Sequence, residues 1–189
     1  MISIADKEDH NALAERACSD EMAFAQLYNA YIDQIYGFVM KRIGHPETSE
    51  DLVSEIFRKV FTNLEAFDSS KASFRTWLYR IANNTIIDHY RVTRNPNKPA
   101  VVDIDSIQDL ASQTRTPEEI VLNSDEREFM QACINELPEK QQKVVQLKYI
   151  EGFSHEEIAE VMGMTPNNIG VISHRALKKM KVSIEKKQS

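Results

Sequence analysis

The chain has 189 residues, of which 42% are hydrophobic and 28% are charged, and its formal net charge is −6. This length accommodates one domain or two small ones, and the apolar content is too high for a disordered chain. No apolar run approaches the ~20 residues of a membrane-spanning helix, and the acidic first ten residues contain no apolar core of a secretory signal. We therefore expect a cytoplasmic protein without membrane insertion.

The first predicted helix spans Glu21 to Ile43, where apolar residues recur at steps of three and four. The Gly-His-Pro segment 44–46 is expected to end it. Thr48 then has the position of an N-cap, and Asp51 follows at the spacing of a capping box. The helix that starts there is expected to bury an apolar stripe made of Leu52, Ile56, Phe57, Val60 and Leu64.

A third helix is predicted from Ser73, its candidate N-cap, to Arg94, where the proline-containing segment 95–99 stops it. This helix interleaves aromatic and basic side chains, namely Phe74, Arg75, Trp77, Tyr79, Arg80, His89, Tyr90, Arg91 and Arg94. Such a surface suits unpaired bases and the phosphates of one strand. Large aromatic residues more often lie in a core, and periodicity alone favours that interpretation for Phe74 and Trp77.

Residues 95–124 contain three prolines and an acidic bias, and they are predicted to form a flexible linker with a short helix near Glu118 to Asn123. The flanking segments 71–98 and 163–189 each hold six basic residues and one acidic residue. Two basic segments in an acidic protein indicate two contacts with a polyanion, although Lys and Arg also serve simply to solvate helix faces. The linker is either a plain tether or an acidic shield for these segments.

The second unit is predicted to start near Asp125, with apolar residues at helical spacing up to Leu137. Pro138 suits the first turn of the next helix, and Glu151-Gly152 is expected to end that helix. No segment shows the alternation of a β-strand. We therefore predict an all-α fold of two small helical bundles joined by a flexible linker, the C-terminal bundle containing a helix-turn-helix.

The helix-turn-helix is predicted from local signals. Ser154 and Glu157 form a capping box, and Gly163 stands where a helix end needs positive φ. Thr165 is a second N-cap, with Pro166 at the first helical position. Short helix, Gly-containing turn and capped second helix are the signature of this motif, whereas the alternative is an ordinary helical hairpin with a basic surface.

The second helix of this motif is the candidate reader of the DNA major groove. Its core stripe is predicted to be Ile169, Ile172, Ala176 and Met180. Its outward face carries Asn167, Gly170, Val171, His174, Arg175 and Lys178. Arg can donate two hydrogen bonds to a guanine edge and Asn can pair with adenine, while the lysines would hold phosphates.

No catalytic or metal site is predicted. Cys18 and Cys133 lie far apart, without the spacing of metal ligands, and both are expected to be reduced. The five glycines form no phosphate loop, and nothing groups Ser, His and Asp into a nucleophilic site. We therefore expect no enzyme activity, no cofactor and no small-molecule substrate.

Together these segments resemble a bacterial sigma factor of the extracytoplasmic-function (ECF) type, from the sigma-70 family, over about residues 22–181. Residues 50–57, Glu-Asp-Leu-Val-Ser-Glu-Ile-Phe, look like the family's core-polymerase-binding segment. Residues 74–84, Phe-Arg-Thr-Trp-Leu-Tyr-Arg-Ile-Ala-Asn-Asn, are very similar to its promoter-melting segment. Residues 136–138 and 157–163 look like parts of its C-terminal domain.

The resemblance implies three domain assignments: sigma region 2 over residues 1–94, a linker over 95–124 and sigma region 4 over 125–189. It also implies a protein that binds core RNA polymerase, recognises a promoter and opens it, located in the cytoplasm and associated with the nucleoid when in holoenzyme. The implied polymerase contacts are Asp51, Leu52, Glu55 and Ile56. The implied −10 DNA contacts, including a pocket for a flipped base, are Lys59, Asn63, Phe67, Trp77, Arg80, Asn84 and Arg91.

In the −35 reader the sequence departs from the family pattern. The implied contacts are Asn167, Asn168, Gly170, Val171, His174, Arg175, Lys178 and Lys179. Members often carry basic residues where this chain has Gly170 and Ile172, so we expect more shape readout or a weaker −35 dependence. The family also implies control by an anti-sigma factor that covers the polymerase-binding faces.

Three other interpretations remain open from the sequence. A free-standing dimeric helix-turn-helix regulator would explain residues 154–181 but not the aromatic helix. An enzyme with a DNA-binding tail, such as a recombinase, would need a nucleophile or metal cluster that the first unit does not offer. A purely helical interaction module would have no affinity for nucleic acid.

Overall fold

The computed structural model describes residues 4–94 and 124–188, with side chains over 10–93 and 129–185. The secondary structure of these ranges is helical, without a strand, and they fall into two compact units, which confirms the predicted all-α class. No helix within them combines the length and apolarity needed to cross a bilayer. The predicted linker up to residue 123, with its short helix at 118–123, lies outside the described residues.

The first unit contains four α-helices and one 3-10 turn. They are α1 (Ile4–Ala17), α2 (Glu21–Ile43), α3 (Pro46–Thr62), the 3-10 turn (Leu64–Ala66) and α4 (Phe74–Arg94). Helix α2 packs against the other three helices. The predicted bounds of α2 are confirmed, and its N-cap is Asp20, whose carboxylate accepts the backbone N–H groups of Met22 and Ala23.

Helix α1 was not predicted from the sequence, because its buried residues are small and its side-chain hydrogen bond to α4 joins residues far apart in the chain. Among the residues of α1 whose side chains are described, 10–17, the buried apolar ones are Ala14 and Ala17, and they make no strong periodic pattern. Asn11 instead reaches across to α4, where its side-chain oxygen accepts the backbone N–H of Phe74 at 2.7 Å. This bond caps the start of α4 together with Ser73, whose hydroxyl accepts the N–H of Thr76 at 3.2 Å as predicted.

The predicted start of α3 is wrong. The helix begins at Pro46, and His45 is its N-cap, with Nδ1 accepting the backbone N–H of Thr48 at 3.4 Å. Proline lacks an N–H and has a φ suited to helix, so at the first helical position it starts a helix instead of breaking one. Thr48 and Asp51 accordingly lie inside α3 and form no capping box.

The centre of the first unit's core is formed by side chains that are at most 1% exposed. Its largest members are Leu27, Tyr31, Ile35, Phe38, Ile56, Phe74, Leu78, Tyr79 and Ile86. Burial raises the pKa of the Tyr31 hydroxyl to about 12, and this hydroxyl is hydrogen-bonded to His10 Nδ1 at 2.9 Å. Ile81 of α4, whose helical spacing with Phe74 and Trp77 predicts a core position, is only half-buried.

The second unit contains α5 (Ser124–Asn135), α6 (Glu139–Val145), a π-helical turn (Gln146–Ile150), α7 (His155–Met162) and α8 (Pro166–Gln188). Helix α8 packs against α5, α6 and α7. Pro138 is the N-cap residue of α6, one position before the predicted place. The π-helical turn, closed by a 3.0 Å bond from the N–H of Glu151 to the carbonyl of Gln146, was not predicted.

Replacing Ile56 with Ala should destabilise the first unit by about 2–5 kcal/mol, because the fully buried side chain leaves a cavity. Trp77 is the single tryptophan and lies in this unit, so its fluorescence in a urea titration follows the unfolding of this unit. Ser54→Ala, on the exposed side of the same helix, should change the free energy of unfolding by less than about 0.5 kcal/mol. A loss below about 1 kcal/mol for Ile56→Ala would contradict the packing of α3.

Candidate nucleic-acid interface

The turn between α7 and α8 is fixed by caps on both sides. Ser154 Oγ accepts the backbone N–H of Glu157 at 3.2 Å, and the Glu157 carboxylate accepts the N–H of Ser154 at 2.8 Å, which confirms the capping box. Gly163 ends α7 with φ of 65°, in the left-handed region that favours glycine. Thr165 Oγ1 accepts the N–H of Asn168 at 3.3 Å, and α8 begins at Pro166. The two helices therefore have the capped turn of a helix-turn-helix.

Helix α8 separates an apolar face from a polar one. Ile169, Ala176 and Met180 are buried as predicted, whereas Ile172 is only half-buried and Ser173 is 3% exposed. The predicted −35 contacts other than the half-buried Gly170 are exposed, namely Asn167, Asn168, Val171, His174, Arg175, Lys178 and Lys179. This face carries amide, imidazole and cationic groups, which are the donors that base edges and phosphates require.

An open depression of about 430 Å³ lies between the start of α7 and the exposed face of α8. It is lined by His155, Pro166, Asn167, Gly170, Val171, His174 and Arg175. Five of these seven residues are predicted −35 contacts. His155 was missed, because a histidine directly after an N-cap has no sequence signal that distinguishes it from a solvated helix start.

Lys59 of α3 is held against α4. Its ammonium donates to Thr85 Oγ1 at 3.2 Å and lies 3.6 Å from Glu55 Oε1. Both carboxylate oxygens of Glu55 accept from Arg58 at 2.7 Å. Arg58, with a smaller contribution from Lys59, lowers the pKa of Glu55, so this carboxylate is already paired on the helix surface.

Asn63 and Phe67 follow the end of α3. The Asn63 amide donates to the backbone carbonyl of Lys59 at 2.8 Å. Phe67 is half-buried, and its ring contacts Phe74 and Trp77 at centroid distances of 5.7 and 5.5 Å. Trp77 is only 6% exposed, so it supports the Phe67 ring from the core side.

Some of the predicted DNA and polymerase contacts of the first unit are exposed, and others are buried. Arg80, Asn84 and Arg91 are exposed on α4, and Asp51 is exposed on α3. Leu52 and Ile56 are buried at 8% and 0%, which places them in the core of this unit and not on its surface. Sequence analysis predicted these two residues both as part of the buried stripe of their helix and as polymerase contacts.

Apolar side chains of α2 and α3 form an exposed surface that sequence reasoning missed. Tyr28 and Phe61 are 39% and 54% exposed, and the Tyr28 ring stands edge-on to Phe57 with a centroid distance of 4.7 Å. The Phe61 ring stands edge-on to Phe24, with a centroid distance of 5.0 Å. The excess of apolar residues in α2 over one helical stripe was the signal that could have indicated this surface.

The carboxylate of Asp68, in the loop before α4, should titrate well below its usual range. It accepts from Lys71 Nζ at 2.7 Å and from the hydroxyl and N–H of Ser70, and these bonds lower its pKa to about 2. Its stabilising contribution is therefore present above the unfolded pKa near ~4 and is lost as the pH falls towards 2.

An NMR pH titration of the Asp68 carboxyl carbon tests this, and Lys71→Met should raise the measured pKa. Lys41→Met, far from this loop in sequence and exposed, is the matched control and should leave it unchanged. An Asp68 pKa near the ordinary 3.8 in the unmodified protein would contradict the loop geometry.

Two family models match this chain, one in each unit. Residues 27–95 match Sigma-70 region 2, and residues 128–180 match Sigma-70, region 4. The first range runs from the second turn of α2 to the end of α4, and the second contains the helix-turn-helix.

Curated relatives match over most of the chain. The ECF RNA polymerase sigma factor BldN of Streptomyces coelicolor is 32% identical over 88% of this chain, although the match spans only 62% of BldN. The ECF RNA polymerase sigma factor SigW of Bacillus subtilis is 30% identical over 82% of this chain and 86% of SigW.

Solved structures share the fold. CnrH, in complex with the cytosolic domain of CnrY, has a TM-score of 0.64 at 24% identity, covering 93% of this chain and 97% of that one. The sigma factor RpoE of Bartonella quintana, in complex with the anti-sigma factor NepR, has a TM-score of 0.66 at 18% identity, covering 86% and 96%.

Proposed function

Because this chain belongs to the ECF sigma factors of the sigma-70 family, we propose that it binds core RNA polymerase, recognises −10 and −35 promoter elements and initiates transcription. The observation that carries the proposal is the capped helix-turn-helix at Gly163, which exposes the polar and basic face of α8. Residues 1–94 would act as region 2, 95–124 as a linker and 125–189 as region 4. The protein would be cytoplasmic, nucleoid-associated in holoenzyme, and not an enzyme.

The −10 contact is proposed for the surface where the end of α3 meets α4. Lys59 brings a cation, and Asn84 brings an exposed amide that can bond a base edge. The half-exposed Phe67 ring can pack on the face of a flipped base, backed by the buried Trp77. The exposed Arg80 and Arg91 and the Asn63 amide complete the set, the arginines holding strand phosphates.

The polymerase contact is proposed for the exposed side of α3. Asp51 is exposed, and Glu55 lies one turn further along α3, paired with Arg58. Carboxylates on this side suit a basic partner and steer its association. Leu52 and Ile56 act from beneath by holding α3 against its own core. Their role in polymerase binding would therefore be positional.

Control by an anti-sigma factor is also proposed. Two proteins of the same fold, CnrH and RpoE, were solved bound to the cytosolic domain of CnrY and to the anti-sigma factor NepR. The exposed apolar residues Tyr28 and Phe61, which pack beside Phe57 and Phe24, give this chain a surface that a protein partner could cover.

The proposal is tested by titrating labelled full-length protein with sigma-free bacterial core RNA polymerase. Saturable binding that a housekeeping sigma factor displaces is expected, because the two would compete for one surface of the polymerase. Circular dichroism first establishes that the protein is folded, and native mass spectrometry establishes that it carries no bound inhibitor. Absence of binding under those conditions would favour the free-standing helix-turn-helix regulator.

Asn84→Ala should reduce promoter opening about tenfold, the effect of losing one good hydrogen bond to a base, and should leave polymerase binding unchanged. Asn84 is exposed, so its truncation spares the core that a Trp77 variant would damage. Permanganate footprinting measures the opened bases, and competition titration measures polymerase affinity. Asn29→Ala, an exposed amide on α2, is the matched control. Equal losses of opening and binding in folded Asn84→Ala would exclude a melting role.

A further inference from the structure

Gly170 leaves a gap in the exposed face of α8, and an imidazole lies behind that gap. A Cβ placed at Gly170 would be 3.9 Å from both Cε1 and Nδ1 of His155. Apart from the neighbours Ile169 and Val171 and the local helix backbone, no other atom of the described residues lies within 4 Å of that position. The ring edge of His155 that carries Nδ1 therefore faces the open depression through the place where a side chain of α8 is missing.

Lys148 determines which nitrogen of His155 carries the proton. Its ammonium lies 2.6 Å from His155 Nε2 and 5.5 Å from the ring centroid of Tyr149. An ammonium can only donate, so Nε2 accepts and the neutral ring has its proton on Nδ1. The nitrogen that faces Gly170 is thus a hydrogen-bond donor.

The π-helical turn Gln146–Ile150 positions Lys148. Leu147 is fully buried and Gln146 is 7% exposed, so the turn is anchored in the core, while Lys148 is half-buried beside α7. Insertions of this kind into helices are frequent at functional sites. Here the turn brings a cation from the preceding helix to the start of the helix-turn-helix.

The surroundings favour a base edge over a phosphate as the acceptor. Glu156 is exposed next to His155, and its pKa is lowered by its own backbone N–H and by Ser154. Glu157 already accepts from the N–H of Ser154. Carboxylates therefore occupy the start of α7, where a phosphate would otherwise bind, and they would repel one.

We propose that His155 is a specificity-determining residue of the −35 contact, donating its Nδ1–H through the gap at Gly170 to an acceptor on a base edge in the major groove. Guanine N7 and O6 and thymine O4 are acceptors of the required kind. Lys148 is the positioning residue that keeps the donor on that side of the ring. This proposal rests on the proposed function, since it assumes that α8 reads duplex DNA.

The test uses full-length protein in holoenzyme with core RNA polymerase. The probe is a duplex that wild-type holoenzyme enriches from a randomised pool, trimmed to the part upstream of the −10 element. His155→Phe should weaken binding of this duplex about fivefold to tenfold and relax selectivity at one base pair. His155→Asn, whose amide lies close to the position of Nδ1, should retain binding within about twofold.

Variants of Gly170 provide a second, independent test of the proposal. Gly170→Ala places a Cβ 3.9 Å from His155 Nδ1 and Cε1, so it should narrow the gap and weaken binding less than His155→Phe does. Gly170→Met should cover the imidazole and weaken binding as His155→Phe does, and the double variant should lose no more than either single one. Additive losses would overturn the proposal, because they would mean that the two residues act separately.

The variant Arg175→Ala distinguishes failure of the proposed −35 role of α8 from failure of the proposed role of His155. If the pool enriches no sequence, or if Arg175→Ala binds the probe like wild type, the −35 role of α8 fails. If Arg175→Ala weakens binding but His155→Phe does not, only the His155 proposal fails. A loss in His155→Phe that is equal for all sequences would indicate a phosphate contact and would also overturn base reading. Thermal unfolding of each variant shows that the folded chain is being compared.

Discussion

Side-chain caps determine where each functional helix starts, and the faces that these helices present depend on those starts. Successive residues of a helix are rotated by about 100°, so a start displaced by one residue would turn a different set of side chains outward. Thr165 and Pro166 fix the start of α8, and this register buries Ile169 while exposing Arg175. Gly163 is part of the same constraint, because its positive φ of 65° lets the chain leave α7 and enter α8 after two further residues.

Elements with local signals could be predicted from the sequence, and elements with distant partners could not. The bounds of α2 and both caps of the helix-turn-helix follow from residues within one turn of each other. Helix α1 depends on Asn11 reaching Phe74, which is 63 positions away, and no window of sequence contains that bond. The start of α3 failed for another reason, since Pro46 is compatible with a break and with a first helical turn, and the His45 side chain decides between them.

In the candidate sites, the sequence predicted which residue types are present but not which of them are buried or exposed. Sequence reasoning found the aromatic residues beside α4, but type alone could not show that Trp77 is buried while Phe67 keeps part of its ring accessible. Leu52 and Ile56 fit both a binding segment and a core stripe, and only packing assigns them to the core. The exposure of the polar residues of α8 was easier to predict, because polar side chains on the helix face opposite a buried stripe normally lie at the surface.

Gly170 is a residue whose proposed role depends on its placement in the structure and not on its residue type. In the sequence it stands where the family resemblance implies a basic residue, and it costs α8 about 1 kcal/mol relative to alanine. In the structure its missing side chain opens a path to a neutral imidazole whose proton is placed by Lys148. A neutral donor discriminates through hydrogen-bond geometry and not through net charge, so it can add selectivity without adding non-specific affinity for phosphates. Under the proposed function the exposed Lys178 and Lys179 would make the phosphate contacts, which would separate holding the duplex from reading it.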